Sequence, residues 1–67
     1  MRIILTTPTW THTLALDFEK GQPPSRPVLW DWVKMFDGKM STAELEGKLR
    51  LGTPFAFGGG VMSWQEG

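Results

Sequence analysis

The chain has no cysteine and only one histidine. The missing cysteines exclude disulfide bonds and thiolate metal sites, and a single histidine excludes a zinc site built from several imidazoles. A chain of 67 residues is close to the size at which small domains depend on such supports or on a partner. We therefore expect stability from close packing or oligomerisation, with no metal and no cofactor.

The sequence also lacks an excess of charge and any long apolar run. Seven basic and seven acidic residues give a formal net charge of zero, which argues against an electrostatic nucleic-acid binder and does not oppose association with a protein. Only three apolar residues follow Arg2 in succession, whereas a signal peptide needs roughly 7–15 and a membrane span about 20. We expect no membrane association and a cytoplasmic location.

The first part of the sequence predicts an antiparallel β-hairpin. Residues 2–6 are β-rich, and residues 12–18 alternate between apolar and polar side chains. One face of this second strand carries His12, Leu14, Leu16 and Phe18. Pro8 favours a turn between the strands, which places Trp10 at or near the tip. Residues 19–27 then form an irregular connection.

The next region predicts a helix that begins at Ser25 as a candidate N-cap. Pro27 falls in its first turn, and Gly38 is a candidate C-terminal cap. The helical period gives a broad apolar face. That face comprises Val28, Leu29, Trp32, Val33, Met35 and Phe36. Trp30 lies opposite, so Trp32 is predicted in the core and Trp30 outside it.

A second helix has the clearest local signature in the chain. Ser41 and Glu44 form a capping box at its start, and Gly52 is placed to close it. Two ion pairs with favourable spacing are expected, Glu44–Lys48 and Glu46–Arg50. Gly47 inside this helix costs about 1 kcal/mol relative to alanine, and we expect the close approach of another backbone to compensate.

After Gly52, residues 53–57 and 61–64 flank three glycines at positions 58–60. These segments predict either a final hairpin or one strand followed by a loose tail. The order β-β-α-α-β(-β) is typical of an α+β fold, with two short helices on one face of a small antiparallel sheet. We interpret residues 1–67 as a single small domain.

The chemistry-bearing residues give little support for an enzyme. His12 is in phase with the apolar strand face, which favours a structural role. A catalytic interpretation would pair it with Asp17 or Glu19 and with a hydroxyl from Thr11 or Ser63, but nothing in the sequence fixes that geometry. The triglycine is not followed by the helix and lysine of a phosphate loop, so a hairpin turn is the better interpretation. We predict no enzymatic activity.

The surplus of tryptophan is the strongest functional signal. One small core does not need Trp10, Trp30 and Trp64 as well as Trp32. Either one or two of them cover the second sheet face, or they are exposed anchors of the kind enriched in protein interfaces. The predicted binding residues are Trp30, Trp10, Trp64, Lys34 and Asp37.

These residues predict a non-enzymatic module that binds a larger protein or associates with itself. It would act as an accessory subunit, a regulator or an inhibitor, of the kind that viruses or mobile elements encode. The alternative is a small single-stranded nucleic-acid-binding module, in which the same tryptophans stack bases among scattered basic residues. A small hydrolase ranks third, because so small a core leaves little room for paired carboxylates in a pocket.

Overall fold

The computed structural model describes residues 1–66, which form four strands and two helices in the order β-β-α-α-β-β. The elements are β1 (Arg2–Thr6), β2 (Thr11–Ala15), α1 (Arg26–Phe36), α2 (Thr42–Leu51), β3 (Phe55–Phe57) and β4 (Gly60–Gln65). The strands make one antiparallel sheet in the order β2-β1-β4-β3. The predicted α+β class is confirmed.

The first hairpin turns through Thr7 and Trp10, as predicted. The Thr7 N–H donates to the Trp10 carbonyl at 2.8 Å, and the Trp10 N–H donates to the Thr7 hydroxyl at 3.1 Å. β2 ends at Ala15 and not at residue 18, because the register with β1 shifts between Ile3 and Ile4. Such a bulge bends the strand, and Leu16 lies exposed beyond it, contrary to the prediction.

The C-terminal segments form a hairpin, which settles the choice left open by the sequence. Phe57 pairs with Gly60 across a two-residue turn. Both turn residues have positive φ, 56° at Gly58 and 83° at Gly59, as the favoured type I′ hairpin turn requires. Glycine is the residue that adopts this backbone at least cost.

α1 ends differently from the prediction. Asp37, with φ of 51°, takes the left-handed C-cap position that the sequence assigned to Gly38. Gly38 is buried, and a Cβ at that position would overlap the ring of Phe57, so close packing and not chain reversal requires glycine there. Ser25 precedes the helix in extended conformation, as expected, but its side chain makes no capping hydrogen bond.

α2 begins and ends as predicted. The Ser41 hydroxyl accepts a hydrogen bond from the Glu44 N–H at 3.1 Å, and Gly52 closes the helix with φ of 79°. The expectation for Gly47 is wrong, because no atom lies within 4 Å of the place where its Cβ would be. Glu46 pairs with Arg50 at 3.8 Å.

The other predicted ion pair of α2, Glu44–Lys48, is absent from the part of the chain that the structure describes. Both of these residues lie near the solvent, where the side-chain entropy lost in holding an ion pair offsets most of its Coulomb attraction.

The core lies between one face of the sheet and the two helices. Ile3 pairs with Trp64 and Leu5 with Met62 across the central strands, and all four side chains are buried. The helices and β3 supply the remaining buried residues, Leu29, Trp32, Leu45, Leu49 and Phe57. These contacts confirm the core position predicted for Trp32.

The apolar face of α1 is narrower in the structure than in the sequence. Leu29 and Trp32 are buried, whereas Val28 and Met35 are exposed, contrary to the prediction. Both lie at the margin of the apolar arc, beyond the surface that a narrow four-stranded sheet can cover.

Candidate binding surfaces

The predicted binding residues are spread over separate parts of the molecule. Trp30 and Lys34 lie on the outer side of α1, Trp10 is at the tip of the first hairpin, and Asp37 caps the end of α1. Trp64 lies in the core. They therefore do not form one site, and each location has to be considered separately.

Trp64 is not an exposed anchor. Its side chain is 8% exposed, and its Nε1–H donates to the Leu49 carbonyl at 3.0 Å. The alternation of β4 places it on the same sheet face as Met62, toward the helices. This bond satisfies the buried indole N–H, and the Leu49 carbonyl also accepts the Gly52 N–H that closes α2. Trp64 therefore joins the sheet to this helix.

Trp30 is the exposed tryptophan that the sequence predicted. It is 54% exposed, and the Lys34 ammonium lies 4.2 Å from its ring centroid in a cation–π contact. Arg26 is four residues before Trp30 and therefore lies on the same side of the helix. We call Arg26, Trp30 and Lys34 the α1 row.

The surroundings of the α1 row carry both signs of charge, and the exposed Asp37 follows Lys34 by three residues at the end of the helix. The Glu46 carboxylate lies 3.6 Å from the Arg26 guanidinium and 3.8 Å from that of Arg50, so one carboxylate is shared by two cations. Both arginine side chains are more than 60% exposed, and such pairs are weak. Asp31, the one acidic residue of α1, lies about 100° around the helix from Trp30.

A second aromatic group lies at the tip of the first hairpin. The ring of Trp10, 56% exposed, has its centroid 3.6 Å from that of His12, which in turn is 5.2 Å from Phe36 of α1. The His12 Nε2 atom is buried without a hydrogen-bond partner. His12 therefore packs between the rings of Trp10 and Phe36.

Asp37 lies in an open cleft of about 330 Å³ between the end of α1 and the turn of the second hairpin. Lys39 supplies the opposite charge, and glycines supply much of the remaining wall. Neither a second carboxylate nor a hydroxyl side chain is part of this lining. Among residues 1–66, no group of three histidine or acidic residues is placed to hold a metal ion.

The sheet face opposite the helices is polar and rich in hydroxyl groups. Strand alternation assigns to it Arg2, Ile4, Thr6, Thr11, Thr13, Ala56, Val61, Ser63 and Gln65. These residues include no aromatic ring, so this face lacks the stacking platform that single-stranded nucleic acids require. Neither helix in residues 1–66 is long and apolar enough to cross a bilayer.

Sequence reasoning identified Trp30 and Lys34 but missed Arg26. The available signal was its spacing of four residues from Trp30. No local sequence signal indicated that Glu46 and Arg50 lie beside Arg26, because their position depends on how α2 packs beside α1. Comparison with known proteins finds no matching family model, no matching curated protein and no matching solved structure.

Proposed function

We propose that this chain is a non-enzymatic protein-binding module whose α1 row docks on an acidic patch of a larger protein. The observation that carries the proposal is the contrast between two tryptophans of one helix. Trp32 is 6% exposed and completes the core, whereas Trp30 is 54% exposed and contributes little to it. A half-exposed tryptophan in a helix that already has its core tryptophan is typical of an interface anchor.

The charges beside Trp30 support an acidic partner. Lys34 lies over the indole, Arg26 precedes it by about one helical turn, and Arg50 shares the Glu46 carboxylate with Arg26. Glu46 and Asp37 offset part of this positive charge. Arginine and tryptophan are the residue types most enriched in interface hot spots. Roles as an accessory subunit, regulator or inhibitor all fit this mode of binding, and the cytoplasmic location and a viral or mobile-element origin remain predictions.

A single-stranded nucleic acid is the second candidate. The observation in its favour is that Trp30 lies between two cations four residues away on either side, which could stack a base and contact its phosphates. The zero net charge of the chain and the polar, ring-free sheet face count against it. A salt series separates the two, because nucleic-acid affinity falls steeply with salt. The third prediction, a small hydrolase, is supported by no pair of carboxylates in the cleft described above.

The proposal is tested by comparing Trp30→Ala with Trp32→Ala. Trp32→Ala leaves a core cavity, and such changes cost about 3–5 kcal/mol, which approaches the whole stability of a small domain. Trp30→Ala is expected to keep the thermal unfolding midpoint within a few degrees and to weaken binding of the purified partner by at least about tenfold, the effect of losing an interface anchor. Circular dichroism melts and titration calorimetry measure the two effects.

Met35→Ala is the matched control, because Met35 is exposed on the opposite side of the same helix. It should leave partner binding unchanged. Lys34→Glu should weaken binding at least as much as Trp30→Ala. If Trp30→Ala instead lowers the unfolding midpoint as far as Trp32→Ala and has no separate effect on binding, the indole is structural and the proposal is wrong.

A further inference from the structure

The two edges of the sheet are protected to different degrees. β3 has only three residues and follows Pro54 directly, and short strands and prolines are common ways to prevent edge pairing. β2 has five residues, THTLA, without proline, lysine or an acidic residue. The bulge of β2 lies after Thr13, so Thr11–Thr13 is the segment of edge that is open to another strand.

The hydrogen-bond pattern defines which groups this edge offers. The bond from the Thr7 N–H to the Trp10 carbonyl marks these residues as a hydrogen-bonded pair. Bonded and non-bonded pairs alternate in antiparallel strands, so His12 bonds to β1, and Thr11 and Thr13 lie in non-bonded pairs. The N–H and C=O groups of Thr11 and Thr13 therefore point away from β1, toward the open edge.

Exposed apolar side chains lie on the β2 side of the helix pair, because Phe36 of α1 contacts His12 of β2 whereas α2 is joined to β4. Trp10 precedes β2 and is 56% exposed. Arg26 marks the flank of α1 that faces α2, and Val28 and Met35 lie about 180–200° around the helix from it. This free flank is on the side of α1 away from α2, and Met35 is 70% exposed there.

We infer that this edge joins a second copy of the chain. In the dimer, the two β2 strands pair antiparallel about a two-fold axis at His12 and make one continuous sheet from two four-stranded sheets. Thr11 of each copy then faces Thr13 of the other, so all the outward backbone groups of both residues are paired. Trp10 of each copy faces Leu14 of the other on the helix side.

A second copy fits this edge better than an isolated strand. Only a second copy brings another α1 flank to cover Val28 and Met35, and an isolated strand leaves them in water. The formal net charge of zero places no repulsion between copies. Each copy would contribute the same surface, Thr11–Thr13 with Val28 and Met35, as a two-fold interface requires. This surface is distinct from the α1 row, so the two proposals stand independently.

The test is sedimentation equilibrium of the full chain over a wide concentration range, with Thr13→Lys as the variant. Thr13 is exposed in one copy, so the change should preserve the fold while it places two lysines beside the two-fold axis. We expect the dimer dissociation constant to rise by about tenfold or more, because edge lysines oppose strand pairing. Ala56→Lys puts the same charge on the exposed edge of β3 and should leave the constant unchanged.

Amide hydrogen exchange identifies the surface directly. At concentrations where the wild-type chain is dimeric, the Thr11 and Thr13 amides should be protected, and dilution should remove that protection. Trp30→Ala should leave the dimer intact. The inference is overturned if the wild-type chain remains monomeric at millimolar concentration, if Thr13→Lys and Ala56→Lys weaken association equally, or if a dimer forms without protection at Thr11 and Thr13.

Discussion

At the residue scale, two glycines in or next to a helix differ in how much space surrounds their Cβ positions. Gly47 lies inside α2 and has open space around its Cβ position. Gly38 is buried after α1, where the ring of Phe57 occupies that space. The sequence predicted a packing role for Gly47 and a backbone role for Gly38. Neither prediction is right, because the neighbours of a glycine come from distant segments such as β3.

These surroundings predict opposite effects of alanine. Gly47→Ala should raise the free energy of unfolding by about 0.5–1 kcal/mol, because glycine is costly in a helix interior and nothing obstructs the added methyl group. Gly38→Ala should lower it by about 1–3 kcal/mol, the usual effect of overpacking a core. Urea unfolding of both variants measures the difference. A destabilised Gly47→Ala would mean that another segment does approach α2 there.

The tryptophans show how far the sequence predicts a site residue by residue. The positions of Trp30 and Trp32 are correct, because two residues separated by 200° on a helix cannot share a face. Trp64 is one of the predicted binding residues, and the sequence left open whether it is exposed or covers the second sheet face, whereas the structure buries it in the core. Its burial depends on the pairing of β4 with β1, which aligns it with Ile3, and no local pattern near the C-terminus contains that information.

At the element scale, the two helices begin with serine but use it differently. The Ser41 hydroxyl accepts the Glu44 N–H at 3.1 Å, whereas the Ser25 side chain makes no capping bond. Pro27 has no N–H to be capped in the first turn of α1. The same residue type therefore has an energetic role at only one of the two helix starts.

Alanine substitution at the two serines should separate these roles. Ser41→Ala should lower the free energy of unfolding by about 1 kcal/mol, the usual cost of losing a serine cap. Ser25→Ala has no side-chain bond to lose and should change it by only a few tenths of that amount. Parallel urea melts give both values. Equal losses would show that the Ser41 hydrogen bond contributes nothing beyond the extended backbone before the helix.

Most element positions follow from local signals in the sequence. The hairpin turns depend on Pro8 and on the triglycine, and α2 on its cap and closing glycine, and these signals act over a few residues. The end of β2 and the width of the α1 apolar face were predicted less well. The first depends on a bulge opposite Ile3, and the second on how far the sheet extends beneath Met35.

At the scale of the whole molecule, the first and last strands of the chain pair at the centre of the sheet. The central strands β1 and β4 come from opposite ends of the chain, and Arg2 pairs with Gln65. Each hairpin forms from local contacts, but neither is stable alone, because two-stranded hairpins are marginal in water. The sequence predicts the hairpins but not that they lie side by side, since that pairing joins residues about sixty positions apart.

The pairing of β1 with β4 predicts that the molecule unfolds as one unit. Ile4 and Thr13 form a non-hydrogen-bonded pair between β1 and β2, so the N–H of each points away from the other strand. The Ile4 N–H therefore points toward Ser63 of β4. In native-state hydrogen exchange, the Ile4 amide should exchange only by global unfolding, with a denaturant dependence equal to the equilibrium m value. The Leu49 amide of α2 should match it, because the buried Leu49 side chain and the bond from Trp64 join that helix to β4.

At concentrations low enough for a single copy, the Thr13 amide is the internal contrast, because its N–H faces solvent at the β2 edge. It should exchange many times faster than that of Ile4 and show almost no dependence on denaturant. If the Ile4 amide instead exchanges through a local opening while Leu49 stays protected, β1 and β4 separate without loss of the helices. In that case the helix pair, and not the joined ends of the chain, would be the last structure to unfold.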